Sequence, residues 1–366
     1  MLASFIFAYC LRELAFAVCS SWLPCTFSAS SLPADKMTST YLAGDSRIDV
    51  HVEEGSLGVS NQDLLQWVHL ASDSVMAYYG RYPVPSVLLR IIPSTGKGVR
   101  NGQTFGEPEG GFIRIQIGSE TINSDLEADW WLTHEMVHLA LPSVADKHHW
   151  IEEGIATYVE PIARVRARHL GAHTMWFELV RDLPQGLPEQ GDKGLDNTHT
   201  WGRTYWGGAL FCFVADVEIH RQTSNRKGLE DALRGILNAG GDIRYDWGMK
   251  KVLSIGDQAT GVSVLVSLYD KMKNRPYAVD LPAMWMELGV EREGGTVRFI
   301  DSAPLAATRR AITYGEAQAP SDSTVTFGAT LLQAGRRVTL PRPPVDAIPT
   351  EKQTDIFYPG QRIPRQ

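Results

Sequence analysis

The chain has 366 residues, of which 43% are hydrophobic and 21% charged, with a formal net charge of −7. This fits a globular protein of one large domain or two to three modest ones, with enough apolar residues for a sizeable core. The acidic balance argues against a nucleic-acid partner, because neutralising phosphates needs a basic stripe. The densest basic stretch, Arg164-Val165-Arg166-Ala167-Arg168-His169, alternates with apolar residues and reads instead as a solvated helix face.

Residues 1–30 read as an export signal. Arg12 precedes the mostly apolar Leu14 to Leu23, Pro24 breaks the run, and Ser28-Ala29-Ser30 supplies small residues for cleavage. The expected destination is periplasmic or extracellular; a start at Met37 would instead leave the protein cytoplasmic. The apolar stretch is too short and too interrupted for a spanning helix of about 20 residues, so no transmembrane helix is expected in the mature chain. Cys10, Cys19 and Cys25 fall in this segment. Cys212 is left alone in Leu210-Phe211-Cys212-Phe213-Val214, which reads as an inert buried thiol.

Residues 40–123 form an expected N-terminal α/β subdomain. Ile48, Val50 and Val52 alternate with polar residues as a half-buried strand, and Gln62 to Tyr79 has helical spacing through Leu65, Val68, Ala71, Val75 and Tyr78. Ser86 to Ile92 reads as a buried strand. Gly96 to Gly111 is glycine-rich without a phosphate-loop pattern and reads as a flexible connection. Phe112 to Ile117 alternates, and as an edge strand it would hold an extended peptide by backbone pairing.

Residues 124–290 are expected to be mainly helical and to carry the chemistry. Asp125 to Leu141 reads as one helix, opened by a capping box from Ser124 to Glu127 and closed by Pro142. Its last two turns contain His134-Glu135-Met136-Val137-His138. Residues four apart share a helix face, so the two imidazoles can converge on one ion while Glu135 stands beside it as a general base toward water. Further helices are expected from His149 to Leu170, with a kink at Pro161, and from Tyr205 to Arg221, Gly228 to Ala239, Gly261 to Lys273 and Leu281 to Leu288. A loop spans Leu183 to Thr200. Residues 291–366 read as an extension: a strand at Thr296 to Ile300, a short helix capped by Asp301-Ser302 and Pro304, and a Pro-rich tail from Pro341.

A catalytic zinc takes three protein ligands, so one more is required. Val144 occupies the place of a metzincin-type third His. His148 and His149 lie in a loop beside Lys147 and read as surface. Glu153 is the better candidate, near the start of the next helix, where Gly154 lets two helices approach closely.

At this point the chain resembles the gluzincin metallopeptidases, the glycyl aminopeptidase family most and aminopeptidase N relatives more distantly. The resemblance rests on the HExxH run followed by Trp150-Ile151-Glu152-Glu153-Gly154-Ile155-Ala156-Thr157-Tyr158. It selects Glu153 over Glu152 as the ligand. Glu152 replaces the usual Asn, and the connection from His138 to Glu153 is shorter than in aminopeptidase N relatives. The resemblance also matches Tyr205-Trp206-Gly207-Gly208 to a Tyr-x-x-Gly element whose phenol stabilises an oxyanion. At the strand where aminopeptidase N relatives carry an amine-gripping Glu, this chain reads Gly110-Gly111-Phe112-Ile113-Arg114. Arg114 therefore becomes a candidate substrate-binding residue, and aminopeptidase specificity does not carry over.

The resemblance implies an α+β fold: a thermolysin-like gluzincin catalytic domain with a small N-terminal mixed sheet and a mainly helical C-terminal part. It implies a zinc peptidase with one zinc per chain, held by His134, His138 and Glu153, with Glu135 and Tyr205 catalytic and a peptide or protein as substrate. Asp129 and Glu160 are candidates to orient the imidazoles. The alternatives are an inactive zinc-stabilised scaffold and a zinc hydrolase of a non-peptide substrate.

Overall fold

Strands between residues 37 and 118, most of them with alternating apolar residues, build a five-stranded sheet. The computed structural model describes residues 37–315; the proposed export signal and the Pro-rich tail lie outside them. Strands β1 (Met37–Ala43) and β2 (Ser46–Val52) pair as an antiparallel hairpin, and Ile48, Val50 and Val52 are buried as their alternation requires. Helix α1 (Asn61–Tyr79) follows. Ser60 and Asp63 close a reciprocal capping box at its start, and Gly80 ends it in the left-handed conformation at φ 80°.

Strands β3 (Ser86–Ser94), β4 (Val99–Glu107) and β5 (Gly110–Gly118) complete a mixed sheet in the order β1-β2-β3-β5-β4. β2, β3 and β5 run parallel, while β4 pairs antiparallel with β5. This corrects two expectations. The glycine-rich connection is largely a strand, and β4, not Phe112 to Ile117, is the edge. An edge strand with two interior glycines and only one buried residue lacks the alternation that marks buried strands.

The expected zinc helix divides into α2 (Asn123–Glu127) and α3 (Trp131–His138). Ser124 caps nothing: the Asp125 carboxylate accepts the Ile122 N–H at 3.0 Å, and a new start forms at Asp129, which accepts the N–H groups of Trp131 and Leu132 at 3.1 Å each. Helices α4 (His149–Arg166) and α5 (Ala172–Asp182) come next, and a π-helical turn at Arg203–Gly207 leads into α6 (Gly208–Thr223). The basic stretch at the end of α4 is not a solvated face. Arg164 and Arg166 are buried and paired with Glu160 and Glu230 at 3.0 Å each.

Helices α7 (Leu229–Asn238), α8 (Met249–Thr260), α9 (Val264–Met272) and α10 (Leu281–Leu288) precede a hairpin of β6 (Val290–Glu293) and β7 (Thr296–Phe299), then α11 (Ala306–Tyr314). Gly261, expected to open a helix, instead caps the end of α8 at φ 76°. Asp301 pairs with Arg309 and Arg310 and does not cap α11, which starts after Leu305. One hydrophobic cluster runs from the inner face of the sheet through α1 into α4 and α6. Cys212 is buried within it, and burial pushes its thiol well above the ordinary value. No helix among the described residues is long and apolar enough to cross a membrane.

Candidate active site

Helices α3 and α4 bring three donor side chains to one point. His134 Nε2 lies 3.2 Å from Glu153 Oε2, and His138 Nε2 lies 3.7 Å from the same oxygen. The two imidazole rings stand edge to face with centroids 4.9 Å apart. One donor atom from each residue falls within 4.8 Å of the others, and His134 and Glu153 are buried. Two imidazoles and a carboxylate in such a cluster fit the donor set of a catalytic zinc, which uses three protein ligands and an open position.

Burial opposes the charge on Glu153, but His138 and His134 outweigh it and bring the carboxyl down to about 2. Burial holds the His138 imidazole down at about 4, so it stands neutral and ready to ligate. His134 is raised, because Glu153 outweighs its burial.

Close backbone approach makes the convergence possible. A Cβ at Gly154 would lie 2.3 Å from the Cα of Gly208, and one at Gly208 would lie 2.0 Å from the Trp150 carbonyl oxygen. Only glycine lets α4 meet the start of α6 at this distance. The shortened connection before α4 is fastened by Glu152, which accepts the Val144 N–H at 3.1 Å and contacts His149 Nδ1 at 3.0 Å. His149 in turn places its Nε2 3.3 Å from Glu153 Oε1. The expectation of a surface histidine pair is therefore wrong on both counts. His148 is buried against Asp196 at 2.8 Å, outside the cluster, while His149 buttresses the candidate ligand.

Glu135 points toward the sheet. Its Oε2 accepts the Thr104 hydroxyl at 2.6 Å, which leaves Oε1 free of that contact. A Cβ at Gly102 would lie 2.5 Å from that Oε1, so the edge strand admits the carboxylate only because residue 102 has no side chain. Burial pushes Glu135 up to about 7, against the pull of His134 and the Thr104 hydrogen bond. A carboxylate poised near neutrality is suited to taking and returning a proton. Thr104, Gly102 and His149 are the residues that sequence reasoning missed. The first two sit in a strand with no clear pattern, and only a capping-distance pairing of His149 with Glu152 hinted at the third.

Tyr205 lies in the π-helical turn, half-buried, its ring stacked toward His134 at 6.5 Å and against Trp201 at 5.6 Å. Burial, with Glu153 and Glu135 nearby, pushes its phenol well above the ordinary value, so it remains a protonated donor. The turn is anchored by buried Arg203, whose Nε meets Asp192 at 2.7 Å and whose guanidinium also reaches the Gly186 carbonyl.

Arg114 is not brought to the cluster. Thr104 and Gly102 pair with Ile113 and Ile115 on the inner face of β5, whereas Arg114 pairs with Gln103 on the exposed face and hydrogen-bonds to it. Of the two candidate orienting residues, Asp129 holds the start of α3 and accepts the Trp67 indole N–H at 2.9 Å, while Glu160 pairs with Arg164. His134 Nδ1 has no hydrogen-bond partner, so neither residue orients that ring through it.

The fold matches that of an aminopeptidase N family protein from Idiomarina loihiensis with a TM-score of 0.55 at 11% identity, over 69% of this chain and 49% of that one. An M1 zinc metallopeptidase from Deinococcus radiodurans aligns with a TM-score of 0.44 at 14% identity, over 66% of this chain and 52% of that one. The chain thus spans about half the length of each. No protein-family model and no curated protein matches it. At these identities the likeness is one of architecture, a mixed α/β fold shared with about half of an aminopeptidase N family protein.

Proposed function

We propose that the chain is a zinc-dependent peptidase with a thermolysin-like active site, in which His134, His138 and Glu153 hold the metal. The observation that carries this reading is the convergence of those three donors, with Glu135 fixed beside them by Thr104. When bound, zinc would polarise the scissile carbonyl and lower the pKa of the attacking water. Glu135 would accept that water's proton at Oε1 and deliver it to the leaving amine nitrogen, a role that its position near neutrality favours. The protonated phenol of Tyr205 would donate to the developing oxyanion. Trp201 and Trp130 flank this side of the cluster and would limit water there.

A peptide substrate is favoured because β4, which carries Gly102 and Thr104, is a sheet edge next to the cluster, open to backbone pairing with an extended chain. Export, read from residues 1–30, belongs to the same proposal and is tested by cell fractionation.

The decisive variant is Glu135→Gln, assayed on a mixed peptide library. Turnover should fall by about 10²- to 10⁴-fold while zinc content stays at the wild-type level. Wild-type cleavage should vanish with chelator and return with zinc. Full activity in the variant would sink the mechanism, and a zinc-loaded wild type that cleaves nothing would favour a scaffold.

A further inference from the structure

A second group of metal-donor side chains converges away from the candidate active site. Asp216 and His220 stand one turn apart on α6, Glu230 sits in the first turn of α7, and one donor atom of each lies within 4.8 Å of the others. All three are at least nine-tenths buried, with exposures of 1%, 3% and 5%.

Two of the three are already oriented. Asp216 Oδ2 accepts the Tyr158 hydroxyl and Oδ1 accepts the Leu229 N–H, each at 2.8 Å. Glu230 Oε1 accepts from Arg166 at 3.0 Å. The remaining donors are unpartnered: Glu230 Oε2 has no hydrogen bond, nor does either ring nitrogen of His220. His220 Nε2 approaches Asp216 Oδ1 to 3.4 Å without forming one. Buried polar atoms without partners are unfavourable, and here two carboxylates face one fixed guanidinium.

Gly228 keeps the space between the donors open. A Cβ there would lie 2.3 Å from Glu230 Oε2 and 2.6 Å from His220 Nε2. One imidazole nitrogen and two carboxylate oxygens form a donor set for a borderline divalent cation such as zinc.

We propose that Asp216, His220 and Glu230 form a second, buried zinc-type site that clamps α6 to the first turn of α7. Tyr158 and Arg166, which orient its carboxylates, both belong to α4, so the site also braces the helix that carries Glu153. It does not depend on the peptidase reading.

The test is zinc stoichiometry, measured by mass spectrometry after full-length protein is loaded with excess zinc and desalted through a weak chelator. Wild type should hold two equivalents. The His134→Ala/His138→Ala double variant should keep one, and adding Glu230→Gln to it should leave none. In the double variant, added zinc should also raise Tm. A double variant holding none would overturn the proposal; one equivalent in wild type and one in the double variant would instead sink the active-site zinc. Should Glu230→Gln fail to fold, wild type and the double variant still decide. Failure of the peptidase reading would appear separately, as the absence of cleavage by protein carrying both equivalents.

Discussion

Gly102 and Glu135 form a steric pair across the gap between strand and helix. A methyl group at residue 102 would meet the carboxylate oxygen left free by Thr104, so Gly102→Ala must displace the Glu135 carboxylate or the strand. A misplacement of about 1 Å costs on the order of 10²-fold in kcat, and zinc content should not change; steady-state kinetics with metal analysis checks both. A wild-type kcat would show that Glu135 does not act from the observed position. His149 is a positioning residue for Glu153. Replacing it with Gln removes a contact to Oε1, and zinc affinity should weaken by roughly 10- to 100-fold, as for other groups that orient ligands. Chelator competition measures this, and an unchanged Kd would make His149 merely adjacent.

At the scale of elements, the decisive contact is between α4 and the start of α6. Gly154→Ala would place a methyl group against the Gly208 backbone, which has no flexible side chain to yield. Overpacking of this kind costs about 1–3 kcal/mol, and the loss should appear as a lower denaturation midpoint with little change in slope. A variant as stable as wild type would mean that the helices separate without penalty. Several helix boundaries are set by side-chain oxygens and left-handed glycines. Asp129 opens α3 and Gly261 closes α8.

Across the whole molecule, Asp196 ties three segments together. It accepts the Trp150 indole N–H and the Tyr269 hydroxyl at 2.8 Å each, and His148 Nδ1 approaches it at 2.8 Å. Burial raises its carboxyl, but those contacts outweigh burial and hold it below the ordinary value. A depressed folded pKa gives stability that is fully present above the unfolded value, near ~3.9, and is lost as pH falls through the folded one. Asp196→Asn should therefore lower stability by about 1–3 kcal/mol at neutral pH. The gap to wild type should close only below pH ~4. Thermal unfolding across that range checks the sign; a gap that is constant into acid would remove Asp196 from the account.

The sequence by itself determined which side chains are candidates for the site. His134, Glu135 and His138 are four-residue neighbours on one helix turn, and Glu153 with Gly154 opens the next helix, so local geometry and the resemblance sufficed. The strands at Ile48 to Val52 and Ser86 to Ile92 were equally legible, because burial on one or both faces leaves a pattern. Only the tertiary structure decided what meets these elements. The edge strand with Gly102 and Thr104, the His149 contact to Glu153, the burial of Arg166 and the placement of Arg114 away from the cluster all depend on pairing between distant segments. Such contacts are set by register and packing, which a single chain does not display as periodicity.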